Sequence, residues 1–425
     1  MNNNITKFIL LLILPFLFIA NSFTQTKLLI HMDYTQSNHL KAYGIAYRHL
    51  LKGGELDWLL NYRGGSFLFQ FSDNLKDECN SSNVSFELLD GTQTAQLYAE
   101  VKDENKNMDL VRLEKVAKIA VYVPPYASPW DDAVQLVLDY AGIPYEKLWD
   151  EEVLAGKLEG VDWIHLHHED FTGQYGKFFA MYGTAQWYLN QKKTNEDIGH
   201  KLGFSKVSRM KLAVVKKLQE YIAKGGFLFA MCSATDTYDI ALAVQYTDIC
   251  EVMYDGDNAE ADANNKLDFN SCLAFENFII EMNPYIYKYS TIDITQELLS
   301  VGQVNDNFNL VDFSARIDPV PTMLNQCHTS LVKGFMGQTS GFHKENLKKN
   351  VTILGMNEGT SFVKYIHGNY GKGTFTFFGG HDPEDYQHLV GAPATDLNKY
   401  IHSPGYRLIL NNVLFPAAKK KKLKT

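Results

Sequence analysis

The feature that most constrains the fold is alternation: short apolar strands and helix-period segments follow one another along most of the chain. Lys27–Met32 reads as a strand, His39–Leu51 as a helix stopped by Gly53-Gly54, and Leu56–Tyr62 as a second strand. The order restarts near residue 118. Strand Lys118–Val123 leads to helix Trp130–Tyr140, bounded by Pro129 and Gly142, and then to strand Pro144–Trp149. Strand Val161–His167, helix Met210–Lys224, strand Phe227–Met231 and helix Thr235–Val244 continue it. Such alternation predicts an α/β fold, a parallel sheet with helices on both faces. The two strand–helix–strand runs, about 91 residues apart, read as two copies of a common unit rather than a duplication.

Later strands are expected at Val351–Met356, Ser361–His367 and Gly373–Phe378, the last two joined by Gly368-Asn369-Tyr370-Gly371-Lys372 as a hairpin. A helix over Pro404–Leu414 follows. Residues 251–345 lack a clear period, and the acidic stretch Asp255–Asn270 reads as an exposed excursion. The expected division is a smaller N-terminal α/β domain (26–115), a larger domain (116–416) with an insertion at about 251–345, and a solvated basic tail (417–425).

The first 25 residues read as an address. Met1–Lys7 is polar with one lysine, Phe8–Ala20 is an almost wholly apolar run of thirteen, and Asn21–Gln25 is a polar exit. These are the three regions of a secretory signal peptide. The run is shorter than the roughly 20 residues a membrane span needs. The expectation is an exported protein, periplasmic or secreted, without integral membrane association after signal cleavage. With 40 Lys+Arg against 49 Asp+Glu the formal charge is −9, which leaves no basic field for phosphate backbones and argues against nucleic acid. Five cysteines are too few for a disulfide scaffold, and the odd count leaves at least one thiol unpaired. Cys250 and Cys272 could pair in an oxidising space.

Two constellations at strand ends point to nucleophilic chemistry. In Phe229-Ala230-Met231-Cys232-Ser233-Ala234-Thr235 an apolar strand runs directly into a cysteine and a helix. A nucleophile on so sharp a turn needs small residues two positions to either side, here Ala230 and Ala234. The positive end of the following helix favours thiolate. In Phe378-Gly379-Gly380-His381-Asp382-Pro383-Glu384-Asp385 two glycines release a strand and present an imidazole followed by carboxylates, which can orient it as a base.

Together these segments resemble the class I glutamine amidotransferase family, in particular exported relatives such as biotin-protein-ligase N-terminal-like and trehalose-utilisation-like domains. The resemblance spans about residues 117–416. It implies a flavodoxin-like sheet and a Cys-His-acid triad that forms a γ-glutamyl thioester from glutamine. Cys232 would be the nucleophile, His381 the base and Glu384 the orienting acid, with Asp382 as the alternative acid, since one residue is inserted between His and Pro-Glu. Backbone N–H groups after Cys232, beginning at Ser233, would serve an oxyanion hole. Over its whole length the chain also resembles a group of exported bacterial proteins labelled asparagine synthetase B. It lacks a Cys directly after Met1 and shows no Ser-Gly-Gly ATP loop, so no nucleotide cofactor is indicated.

The third constellation is Trp163-Ile164-His165-Leu166-His167-His168-Glu169-Asp170. His165 and His167 share one face of a strand. Imidazole with carboxylate suits a divalent metal such as Zn. The competing reading has His168, Glu169 and Gln174 position a polar substrate. Three functions therefore stand: an amide hydrolase acting through Cys232, a non-catalytic binder of a cell-envelope glycan or peptide, and a metal-dependent hydrolase at His165 and His167.

Overall fold

The N-terminal run closes on an antiparallel sheet. A computed structural model describes residues 26–125 and 131–418. Strands β1 (Lys27–Ile30), β2 (Leu56–Leu60), β3 (Ser66–Gln70), β4 (Glu87–Leu89) and β5 (Asp109–Leu113) pair in the order β4-β1-β3-β2-β5, every pair antiparallel. The helix His39–Leu51 is capped by the Asn38 side chain, which accepts from Lys41 N–H. It packs against the helices Ala133–Ala141 and Pro404–Leu414, so the small sheet shares a helical layer with the rest of the molecule. Fully buried Arg407 ties the two parts together, donating to Met32 O (3.0 Å) and Gly64 O (2.7 Å).

The larger sheet has ten strands: β6 (Ile119–Tyr122), β7 (Glu146–Leu148), β8 (Trp163–Leu166), β9 (Phe227–Met231), β10 (Asn307–Leu310), β11 (Leu331–Lys333), β12 (Phe342–His343), β13 (Thr352–Met356), β14 (Phe362–Tyr370) and β15 (Gly373–Phe378). Their order is β11-β10-β13-β14-β15-β9-β8-β6-β7, with β12 paired to β14. The run β7-β6-β8-β9-β15 is parallel; everything beyond β15 is antiparallel. The fold is thus mixed α/β, and the expectation of a purely parallel sheet is corrected by the hairpin at Gly371-Lys372. Tyr370 pairs with Gly373 there, and Gly371 takes φ 60°, which reverses the chain and lets antiparallel strands extend the sheet.

Helices cover both faces of the parallel run, as β9 makes plain. Phe227, Phe229 and Met231 enter one core with the helices Ala133–Ala141 and Pro404–Leu414, while Leu228 and Ala230 enter the other with Val207–Lys224 and Ala234–Ala243. Helix Ala133–Ala141 starts three residues later than its pattern suggests, because the Asp132 side chain caps it through Val134 and Gln135 N–H. Pro129 and Trp130, expected at its start, lie outside the described residues, as does the expected signal segment. Cys250 and Cys272 are unpaired and bond separate carbonyls, Thr172 O and Asp239 O. Among the described residues no helix is long and apolar enough to cross a membrane.

Candidate active site

Four parallel strands end together. Beyond β6 lie Asp131 and Asp132, beyond β8 His167 and His168, beyond β9 Cys232, and beyond β15 His381. Cys232 has φ 52°, a left-handed backbone that costs a non-glycine residue roughly 1–2 kcal/mol. Its surroundings enforce the strain. Cys232 N–H donates to Gly380 O (3.1 Å), Ala234 N–H to His167 O (3.1 Å), and the Thr235 N–H and hydroxyl both donate to Cys232 O. The small neighbours Ala230 and Ala234 are fully buried against this turn.

The His381 ring is the hub. Its Nδ1 lies 2.9 Å from His167 Nε2 and its Nε2 3.4 Å from Asp131 Oδ1, and it shares one cavity lining with Cys232. His388 stacks on it at 4.5 Å and places its own Nε2 2.9 Å from Asp131 Oδ1. Burial alone would strip the proton from His381. Hydrogen bonds to Asp131 and Cys232, with their negative charges, outweigh it and lift the ring to about 10. Burial likewise pushes the Cys232 thiol up, yet the His381 bond and charge and the Gln338 and Thr339 N–H groups bring it below an ordinary thiol. The two opposite shifts together favour a thiolate beside an imidazolium.

A strap of irregular chain, Met336–Ser340, crosses this pair. Gln338 N–H donates to Cys232 Sγ at 3.3 Å. A Cβ on Gly337 would lie 2.9 Å from His381 N and 3.0 Å from Cys232 Sγ, so only glycine lets the strap approach so closely. Buried Lys364 holds both ends, donating to Phe335 O (2.7 Å) and Ser340 O, and burial lowers it to about 8. Asp293 accepts from Ser340 N–H (3.0 Å), and burial raises its carboxyl to about 6 against those hydrogen bonds. Thr339 donates to Asp236, and Gln338 Nε2 to Gly176 O. The strap belongs to the insertion, whose acidic part 255–270 lies mostly at the surface. No periodicity in the sequence signals it.

The acids read from the sequence lie elsewhere. Glu384 turns to Ser403 near Lys333. Asp382 accepts from Tyr406 OH (2.9 Å), Glu384 N–H (2.9 Å) and the Thr395 hydroxyl (2.7 Å), a structural set. Among the described residues the carboxylate at the His381 ring is Asp131, which an N-cap pair at a strand end could have signalled. Of the expected substrate-binding residues, His168 lines the cavity over Cys232. Ser233 is buried beside it with its hydroxyl unbonded. Gln174 is spent on Ile249 O (2.9 Å), and Glu169 is a buried carboxyl that burial lifts to about 8, away from the cavity lining.

His165 and His167 do share a face, and both turn to Asp132. His165 donates from Nδ1 to Phe229 O (3.2 Å) and places Nε2 3.3 Å from Asp132 Oδ1; His167 Nδ1 is 3.8 Å from the same oxygen. These three groups are spaced as metal ligands can be, and a His that donates its second N–H to a carbonyl is the usual supporting arrangement. Burial holds His167 well below its usual range despite the nearby Asp132 charge, which keeps it neutral as an acceptor for His381.

No family model matches the chain, and no curated protein matches it. Solved structures give only faint likenesses. Two cytoplasmic proteins of Salmonella typhimurium, STM3548 and STM1381, align at 12% and 13% identity over 71% of this chain and 100% of theirs, with TM-scores of 0.33 and 0.34. A β-galactosidase from Bacillus circulans sp. alkalophilus aligns at 12% identity over 72% of this chain and 32% of its own, with a TM-score of 0.24. Likenesses this weak carry no argument about chemistry.

Proposed function

We propose that the protein is an exported hydrolase of carboxamide or amide bonds acting through a Cys232 thioester. The observation that carries this reading is the strained Cys232 turn between β9 and its helix with the His381 ring at the thiol. The parallel strand order, numbered from β6, is 2-1-3-4-5, which supports the flavodoxin-like arrangement of the glutamine amidotransferases it resembles.

In the proposed reaction Cys232 Sγ attacks the carbonyl carbon and a C–S bond forms. The C–N bond then breaks as His381 gives its proton to the leaving nitrogen. Water attacks the thioester, His381 takes the water proton, and Sγ leaves as thiolate. Asp131 and the neutral His167 hold the ring in place. With the amides of Cys232 and Ala234 already committed, Ser233 N–H is the elbow donor for the oxyanion. The test is ammonia release from a panel of carboxamides by the full chain. The reading expects release that Cys232→Ala abolishes; release unchanged in that variant would overturn it.

A second reading, a divalent metal such as Zn held by His165, His167 and Asp132, is favoured by one observation. His165 Nε2 and His167 Nδ1 are buried without hydrogen-bond partners and face one carboxylate oxygen. Elemental analysis of purified protein tests it: stoichiometric metal lost in His165→Ala supports it, and metal-free active protein removes it.

A further inference from the structure

The cavity over Cys232 has a volume of about 300 Å³, at the small end for ligand sites, and its lining is unusually one-sided. Cys232 and His381 form its base, and Phe178, Tyr182 and Met336 contribute its walls. Met181, Tyr287, Leu299 and Leu389, all exposed large apolar side chains, also line it. Such side chains scattered singly need no explanation, but gathered at one cavity they mark a surface that takes apolar material. The neutral polar groups are the amides of Gln296, Gln338 and Gln387, the hydroxyls of Thr295, Tyr182 and Tyr287, and the His168 ring, which burial keeps unprotonated.

Charge is distributed just as unevenly. Among the described residues no Lys or Arg lines the cavity; its one carboxylate is Asp131, already bound to His381 and His388. Two buried lysines of the surrounding chain are spent on carbonyls: Lys177 on Glu281 O and Lys288 O, and Lys364 on Phe335 O and Ser340 O. The cationic side chains at the cavity, the His381 imidazolium and the His388 ring, are both already paired with Asp131, so the carboxylate of a free α-amino acid such as glutamine would meet no unpaired cation there, and burying an unpaired charge is costly. The Asp131 carboxylate would add like-charge repulsion.

Resting on the Cys232 hydrolase reading, we infer that the substrate is a carboxamide or amide uncharged at neutral pH, with an apolar or aromatic acyl group, and not free glutamine. Specificity would then come from the apolar lining, with Gln296 and Gln387 bonding an amide or hydroxyl of the substrate.

Three electrophiles that share one warhead test this: iodoacetamide, N-benzyl iodoacetamide and iodoacetate. The alkylation rate of Cys232 in the folded full chain is measured for each and divided by the rate with free glutathione. The expected order is benzyl amide, then amide, then carboxylate, with the benzyl amide favoured over the carboxylate by about tenfold or more. Leu299→Arg is expected to raise the iodoacetate rate severalfold and lower the benzyl rate. Normalised rates that favour iodoacetate, or saturable hydrolysis of L-glutamine by the wild-type chain, overturn the substrate class while leaving the nucleophile intact. Failure of iodoacetamide itself to modify Cys232 overturns the nucleophile and this inference with it.

Discussion

Asp131 and Asp132 are neighbours in sequence with the same side chain, and they do different things. Asp131 faces the cavity, bonds His381 and His388, and helps hold His381 protonated, while its own carboxyl sits well below the ordinary range despite burial. Asp132 is buried, caps a helix, and faces His165 and His167, of which His167 is driven neutral by burial. Composition cannot separate two such His-carboxylate groups; access to the cavity and the company of a thiol do. On this account the first group performs chemistry and the second fixes the ring that performs it.

The sharpest way to break that comparison is to neutralise each acid in turn. Asp131→Asn is expected to lower turnover, or the Cys232 alkylation rate, by roughly 10²–10⁴-fold, because the imidazolium loses its charged partner. The sign follows from the direction of the shifts. Without Asp131 the His381 ring falls from about 10 towards its ordinary value, the thiolate loses its counter-charge, and the alkylation profile moves to higher pH. A profile that does not move would assign the ring's state to another group.

The strap comes next. Lys364→Met leaves the buried carbonyls of Phe335 and Ser340 without their donor, and a loss of roughly 2–4 kcal/mol is expected in denaturant unfolding. Asp132→Ala should cost roughly 1–2 kcal/mol through the lost helix cap, with less than about tenfold effect on alkylation. If it costs more rate than Asp131→Asn, the two roles are exchanged.

The smallest effect is expected at Asp293. Its folded pKa of about 6 lies above the ordinary 3.8, so the native state binds the extra proton between those values and its contribution to stability falls as pH rises through 6. Asp293→Asn keeps the acceptor for Ser340 N–H and should flatten that part of the pH dependence, by about 1 kcal/mol or more between pH 4 and 7. Thermal melts at both pH values read it directly.

Much of this is legible in the sequence. Phe227–Met231 and Gly373–Phe378 appear as strands with the boundaries their apolar runs suggest, and the Cys232 turn and His381 sit where small residues and paired glycines place them. Local pattern sufficed because each segment carries its own period and its own stop. Asp131 was hidden because Trp130–Tyr140 reads as one helical stretch, and only the Asp132 cap shows where the helix begins. Glu384 follows from the Pro-Glu match of the family resemblance, despite the residue inserted before it, yet the chain turns at Asp382, which Tyr406 and Thr395 hold, and carries Glu384 off to Ser403. The strap was invisible for a different reason. Its position depends on Lys364, Asp293 and Asp236, 24 to 103 residues away, and no local period records such partners.

The most direct measurement is competitive alkylation of the folded full chain by iodoacetamide near neutral pH, with each cysteine followed by peptide mass spectrometry. Cys327 is the most accessible of the five, whereas Cys232 is 3% exposed. Accessibility alone therefore selects Cys327. The account predicts that Cys232 reacts at least about tenfold faster, and that His381→Ala reduces it to the Cys327 rate or below. Preferential modification of Cys327, or a Cys232 rate indifferent to His381→Ala, would contradict it.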